Sequence, residues 1–411
     1  MMQESLIAAV DLGSNSFRLQ VARTMGDQVY PLDSLSEKVR LAGGLDSANR
    51  LDDASQDRAL ACLERFAERL RQFPKRSVRA VATNTLRVAK NGAAFLKRAQ
   101  ATLGFPIEVV AGREEARLIY LGVSHSLPPS NEPRLVVDIG GGSTELIIGD
   151  GFVPRKTESL YMGCVGYSLK FFPDGKITKK NLSQATLAAC GELQTIAGDF
   201  SSESHRDAVA SSGTARALQD ILKLNGYSNG EITPDALEAL RGVLIKAGDW
   251  RALDLPGLRA DRAPVLAGGL AIMSAVLSEL EIKQMTVATS AMREGILYDL
   301  LGRFHRNDLR VTTVEEFMRR YHADRAQAER VDTLAREFLH GLDPDLDSMH
   351  LSWAAKLHEI GISVSHSGYH KHSAYIIENA DMPGFSRSDQ ETLALLVLGH
   401  RGSLKKLPDS L

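Results

Sequence analysis

Two stretches of this chain carry the same short pattern, and that repeat limits its possible folds more than any other feature. Leu135 to Asp150 reads LVVDIGGGSTELIIGD, and Ala8 to Leu19 reads AAVDLGSNSFRL. In each, an apolar run ends on an acid, Asp138 or Asp11, passes a glycine turn and resumes as apolar residues. Apolar runs bounded by glycine predict strand–turn–strand. Gly140, Gly141 and Gly142 remove side chains that would hold a ligand off the backbone. They also permit left-handed φ angles, so successive N–H groups can converge on an anion. One copy alone would be explained by a glycine hairpin in an α/β protein. Two copies, a domain's length apart, predict two related halves, each with a carboxylate and a phosphate-cradling turn. Facing each other across a cleft, they would grip a phosphate chain and its Mg²⁺.

The intervening sequence fits that expectation. Strands are expected at Phe17–Arg23 and Gln28–Leu32, joined around Met25–Gly26–Asp27, then a helix from Leu51 to Phe73 capped by Asp52 or Asp53. Strand Val78–Ala82 is followed by helix Leu86–Ala101 with Arg87 in its first turn, strand Pro106–Val110, and a helix from about Glu114. The second half repeats the order: the Asp138 hairpin, a third strand at Phe152–Ser159, a helix near Lys180–Gly198 and strand Ala208–Ala210. Strand Gln284–Ala288 and helix Met292–Arg303 close it. A meander followed by alternating helix and strand predicts ribonuclease-H-like mixed sheets rather than a doubly wound parallel sheet. From Val311 the pattern is nearly all helix, including one at Tyr321–Leu339, and the histidines concentrate there. The expected domains are 1–124, 125–305 and 306–411, with the last boundary near Arg306.

The formal net charge is −2, so an anionic ligand must be held by local groups and a nucleic-acid partner has no global support. Cys62, Cys164 and Cys190 form no CxxC pair, which argues against zinc or a disulfide framework and suits a reducing cytoplasm. No apolar run approaches the ~20 residues of a membrane helix, which leaves peripheral membrane association at most.

Glu114 and Glu115 open a helix and are either dipole-favoured acids or a base for water. Arg87, at a strand end, could clamp phosphoryl oxygens. Ser211–Ser212–Gly213–Thr214, between a strand and a helix, offers a third phosphate contact. Gly268–Gly269–Leu270–Ala271 resembles a nucleotide-side loop, though paired glycines before a helix are also ordinary packing. Lys170, Lys176, Lys179 and Lys180 form either a basic track or a solvated face.

Read together, DLGSNSFRL (11–19), ATNTLR (82–87), AGREEARLIYLGV (111–123), VVDIGGGSTEL (136–146), MGCVGYS (162–168), SSGTARAL (211–218) and AMREGILYDLLGRF (291–304) carry a family resemblance. The chain resembles the exopolyphosphatase/guanosine pentaphosphate phosphohydrolase family of the actin-like superfamily, and more the exopolyphosphatases. LHEIGISVSHSGYHKHSAYII (357–377) extends the likeness into a helical domain similar to HD phosphohydrolases, with His358–Glu359 where a His-Asp doublet is expected. The resemblance implies an α/β fold: two ribonuclease-H-like (actin-like) domains around an interdomain cleft, then an α-helical HD-like domain with a degenerate metal motif. It implies Glu115 as the catalytic glutamate, Asp138 with it at the attacked phosphate, and Asp11 and Asp138 around Mg²⁺. Ser14, Asn15, Arg87, Gly140, Gly141, Gly142 and Ser143 are the implied phosphate-binding groups, with Ser212, Gly213 and Thr214 as the third contact. The implied reaction is Mg²⁺-dependent release of orthophosphate from the end of inorganic polyphosphate, or alternatively from pppGpp. K⁺ is a candidate activator, no organic cofactor is implied, and a homodimer is suggested. Arg18 departs from the family's common histidine, and longer members continue past the position of Leu411. An actin-like ATP-dependent kinase and a non-catalytic polyphosphate sensor are the readings from other classes.

Overall fold

The computed structural model describes residues 5–26, 28–128, 132–304, 308–342 and 348–402. The turn residue Asp27, the boundary near Arg306 and the terminal Leu411 lie outside them. The chain divides into two compact units: Met1–Ile107 with Glu115–Leu301, and Glu108–Glu114 with Gly302–Leu411.

In the first unit, β1 (Ser5–Leu12), β2 (Phe17–Met25) and β3 (Gln28–Glu37) form an antiparallel meander. β4 (Val78–Ala82) joins β1 in parallel, and β5 (Ile107–Val109) completes the order β3-β2-β1-β4-β5. The helices between and after are α1 (Asp53–Leu70), α2 (Asn84–Val88), α3 (Gly92–Leu103) and α4 (Gly112–Ser126). The second sheet repeats the plan with β6 (Arg134–Ile139), β7 (Thr144–Asp150), β8 (Val153–Leu160), β9 (Asp207–Ser211) and β10 (Thr286–Val287). Its order is β8-β7-β6-β9-β10, strand for strand the same. Its helices are α5 (Cys164–Phe171), α6 (Lys179–Gln194), α7 (Ala197–Phe200), α8 (Ser212–Leu224), α9 (Pro234–Ala247), α10 (Ala263–Glu279) and α11 (Met292–Phe304). Two mixed sheets of one topology, with surrounding helices, give the actin-like pair of ribonuclease-H-like halves.

Local chemistry explains most boundaries. Asp52 caps α1 by accepting from Ser55 N–H at 2.7 Å, and Ala59, Leu63, Phe66 and Leu70 bury one face at helical spacing. β6 is buried along its whole length, so its run is continuously apolar up to Asp138. The expected helix from Leu86 to Ala101 is instead two, α2 and α3, broken at Ala89–Asn91. Asn91 explains the break: its side chain bonds both Leu51 N–H (2.8 Å) and Leu51 C=O (2.9 Å) across the fold. Arg87 therefore sits in the last turn of a short helix, not the first turn of a long one. The helix near Lys180–Gly198 is likewise divided into α6 and α7. Gly268 and Gly269 are not a loop but the buried interior of α10, where their missing side chains let α5 and Thr214 approach.

The second unit holds α12 (Leu309–Arg320), α13 (Arg325–Leu342), α14 (Met349–Leu357), α15 (Tyr369–Asn379) and α16 (Arg387–Gly399). The helix expected at Tyr321–Leu339 begins only at Arg325, because Tyr321 ends α12. Phe317, Trp353, Leu357, Ile377, Phe385 and Leu393 form the core, and a Ser386–Asp389 capping box starts α16. His358 is buried and donates through Nδ1 to Ala355 C=O at 2.6 Å. Among the described residues no three His, Cys, Asp or Glu side chains are arranged to hold a metal. No described helix is long and apolar enough to cross a membrane.

Candidate active site

The two glycine turns meet at one cleft of the first unit. Asp11, Ser14, Asn15, Glu115 and Asp138 line it, with Gly140, Gly141, Ser143, Ser212, Gly213 and Thr214. Gly142 and Arg87 do not. Gly142 lies against the Asn84 side chain, and Arg87 pairs with Glu115 at 3.2 Å.

None of Gly13, Gly140, Gly141 or Gly142 adopts a left-handed φ, so the expected conformational reason for these glycines does not hold. Close approach is the reason. A Cβ on Gly163, at the start of α5, would strike the main chain of Gly141 and Gly142. A Cβ on Gly141 would meet Ser14 and Asn15 of the opposite turn at 3.1–3.5 Å.

Hydrogen bonds then orient the amides. Gly140 C=O accepts from Cys164 N–H (2.9 Å), and Gly141 C=O accepts from Val165 N–H (3.0 Å). In a trans peptide the following N–H points opposite the carbonyl, so the amides of Gly141 and Gly142 are turned away from α5. The first turn uses the same device. Ser14 C=O and Asn15 C=O accept from Ala42 and Arg40 N–H, both at 2.9 Å, which turns the amides of Asn15 and Ser16 the other way. Thr85 Oγ1 fixes Ser14 Oγ at 2.8 Å. Such convergent amides favour an anion.

The third contact is less free than expected. Ser212 holds φ at +94°, a strained value for a side-chain-bearing residue, and its Oγ accepts from Thr214 and Ala215 N–H. Thr214 Oγ1 donates to Ile139 C=O at 2.9 Å. What this corner adds is Arg262, whose guanidinium lies over Gly213 in space that any side chain there would fill.

Four acids share the cleft and its rear wall. Burial pushes the Asp11 carboxyl up to about 6, with Arg18 and Arg293 pulling it back and Asp138 and Glu294 adding to the rise. Burial likewise raises Asp138, against a Ser211 hydrogen bond and the Arg18 and Arg216 charges. Glu115 is raised by burial, opposed by its Arg87 ion pair and reinforced by Asp11 and Asp138. Glu145, 1% exposed, is raised well above the usual carboxyl range by burial and by Glu115 and Asp138. Its Oε1 accepts from Ser159 Oγ at 2.8 Å. Glu114, by contrast, accepts Gly384 N–H at 3.0 Å within the second unit, so the adjacent glutamates have separate duties.

Arg18 and Arg262 line the same cleft, and Lys38, Arg216 and Arg293 lie within electrostatic reach of its charged groups. Burial lowers Lys38, Arg216 and Arg262 from their usual values, and neighbouring arginines lower each further. Lys38 reaches Asp261 at 3.3 Å and Ser16 Oγ at 3.2 Å. Glu145, Lys38, Arg216, Arg262 and Arg293 were not apparent in the sequence. Arg216, Arg293 and Glu145 lie inside stretches that carry the family resemblance, and Glu145 also follows Asp138 by the same interval as Arg18 follows Asp11. Lys170, Lys176, Lys179 and Lys180 are all exposed, as a solvated face would be.

The donor set suits a hard cation. Mg²⁺ takes one or two carboxylates plus water and phosphate oxygens rather than an all-protein cage. Asp11, raised by burial and by the Asp138 charge, and Asp138, raised by burial, would both be relieved by such a charge.

Comparison with known proteins agrees with this geometry. Residues 20–304 match the Ppx/GppA phosphatase family, and residues 309–409 match Ppx/GppA phosphatase, domain III. A guanosine-5'-triphosphate,3'-diphosphate pyrophosphatase of Pseudoalteromonas translucida (strain TAC 125) is 39% identical over 98% of this chain and 82% of its own. The Aquifex aeolicus PPX-GPPA enzyme superposes with a TM-score of 0.60 at 26% identity, covering 72% of this chain and 99% of that one. An exopolyphosphatase structure from Cytophaga hutchinsonii gives 0.65 at 23% identity, over 73% and 98%, and shares the fold. With its turns, its buried glutamate and both segments matched, the chain belongs to the Ppx/GppA phosphatase family.

Proposed function

We propose that this chain removes the terminal phosphate of pppGpp, leaving ppGpp and orthophosphate. The observation carrying the chemistry is Glu115, a buried carboxyl oriented by Arg87 beside two turns whose amides are aimed for an anion. A base with a raised pKa near the working pH is suited to take a proton from water. In this reading the amides of Asn15, Ser16 and Gly141, which line the cleft, hold the terminal phosphoryl group. Water attacks its phosphorus, the bridging P–O bond breaks, and Glu115 receives the water's proton. Asp11 and Asp138 would hold Mg²⁺, which supplies charge neutralisation for the phosphoryl oxygens when bound. Arg18, Arg262 and Lys38 would meet the phosphates nearer the nucleoside. The substrate assignment rests on the pyrophosphatase relative, which is similar along nearly the whole chain.

Inorganic polyphosphate is the second reading. No aromatic side chain lines the cleft among the described residues, and a linear polyphosphate requires none to hold a base. The kinase reading loses one support, since Gly268 and Gly269 lie inside a helix.

Phosphate release from pppGpp and from long polyphosphate, measured side by side with Mg²⁺, separates the readings. A higher kcat/KM for pppGpp is expected. Turnover of polyphosphate alone would reverse the substrate order, and ATP-dependent phosphoryl transfer without hydrolysis would remove both. Glu115→Gln should lose turnover by about 10²–10⁴-fold while binding is retained; an active variant would remove Glu115 from the base role.

A further inference from the structure

The helix that carries Glu115 is anchored by a buried charge cluster that takes no part in the chemistry above. Asp299 of α11 reaches Arg79 of β4 with one carboxylate oxygen, at 2.6 Å, and Arg117 of α4 with the other, at 2.5 Å. All three side chains are at least nine-tenths buried, and none of them lines the cleft. Apolar side chains of the same volume would hold the fold about as well, so stability alone does not explain three buried charges. A carboxylate between two guanidiniums fixes direction and distance, which apolar contacts do not.

What the cluster fixes is the relation between two segments of the site. Arg117 follows Glu115 by two residues, about 200° round α4, so Glu115 faces the cleft while Arg117 faces away from it. Arg79 is paired with Ala9 of β1, and its strand runs through Thr83 into α2, which bears Arg87. One carboxylate is thus bonded to both segments that meet in the Arg87–Glu115 ion pair, at 3.2 Å. A Cβ on Gly295 would lie 1.7 Å from Leu118 C=O, so main-chain contact sets the spacing of α4 and α11. Asp299, one turn further along α11, sets how far one helix slides past the other.

We propose that Asp299 is a positioning residue for the reaction, holding Glu115 and Arg87 through Arg117 and Arg79 in the register at which they pair. The inference rests on Glu115 as the base. A displacement of about 1 Å at a reacting group can cost about 10²-fold. Asp299→Asn should therefore lower kcat about 10–100-fold with KM within about threefold, on pppGpp or polyphosphate, whichever turns over faster. Burial raises the Glu115 carboxyl and Arg87 opposes the rise. A looser pair should thus move the acidic limb of the kcat–pH profile up by about half a pH unit or more. Mere loss of folded protein would lower the rate and leave the limb in place.

In an Arg87→Met background, where the pair is already gone, Asp299→Asn should cost at most about threefold more. Arg79→Lys and Arg117→Lys keep the charge without the fork and should move the limb the same way by less. They carry the test if circular dichroism shows that Asp299→Asn does not fold. The inference is overturned if the limb stays in place in the variants that fold, or if the Asp299 and Arg87 effects multiply. An inactive Glu115→Gln beside a normal Asp299→Asn overturns this role alone. A fully active Glu115→Gln overturns the base, and this role with it.

Discussion

The two glycine turns share one spacing and one hydrogen-bonding plan, yet their neighbours carry opposite charge. Across the first hairpin Asp11 faces Arg18, and across the second Asp138 faces Glu145, at the same ladder position. On the other side, β4 places Val81 beside Asp11, whereas β9 places Ser211 beside Asp138. Like charges directly opposite in a ladder are unfavourable, so the second turn accepts a cost the first avoids. The difference divides the labour. The acid-facing turn gathers carboxyls that suit a metal and a proton, and the base-facing turn gathers a guanidinium that suits the phosphate chain.

Asp138→Asn should separate the two turns most strongly. It is expected to lower kcat by about 10²-fold or more and to raise the Mg²⁺ needed for half-maximal rate. An effect confined to KM in a Mg²⁺ titration would erase the distinction. Next comes Gly163→Ala, which forces a methyl against the Gly141 main chain and should cost about 1–3 kcal/mol in urea unfolding. Gly13→Ala, whose Cβ would meet only Ser16 C=O at 3.0 Å and Asp11 at 3.5 Å, should cost less. Arg18→Ala should raise KM about tenfold with kcat within a few-fold, since a charged hydrogen bond contributes about 1.5–3 kcal/mol. A kcat effect as large as that of Asp138→Asn would show both turns doing one job.

The smallest expected effect is on pH-dependent stability without Mg²⁺. The folded pKa of Asp11 lies near 6, above its ordinary 3.8, so its stabilising contribution is complete below about 4 and is lost as pH rises through 6. The other three acids are raised in the same sense. The melting temperature should fall by a few degrees from this source between pH 4 and 7. Asp11→Asn should flatten that slope, and added Mg²⁺ should recover the loss. A slope unchanged in Asp11→Asn would detach Asp11 from the effect.

Much of this was legible because it is local. A strand ending on Asp, a glycine turn and a second strand are written in consecutive residues, so both halves and most of the cleft could be read. Whatever depends on residues distant in the chain could not. Gly163 fits under Gly141, and Gly122 of α4 crosses Gly295 of α11, where a Cβ on either would enter the other helix's main chain. From sequence these appear as loosely placed glycines, yet the crossing of α4 and α11 sets the helix that carries Glu115. Arg262 and Lys38 come from segments without a motif and reach the cleft only through folding. The break between α2 and α3 needed Leu51, forty residues upstream of Asn91. Glu145 was missed for a different reason: inside an alternating strand it resembles an ordinary solvent-side acid, and only the ladder register places it behind the site.

Because Gly141, Asn15 and Ser16 would meet the phosphoryl group through peptide N–H groups, the grip is made of matter that does not titrate. Acid can silence the carboxyls without loosening the amides. Substrate affinity should therefore stay level across the range in which turnover rises, and a protein trapped at low pH should hold its substrate intact.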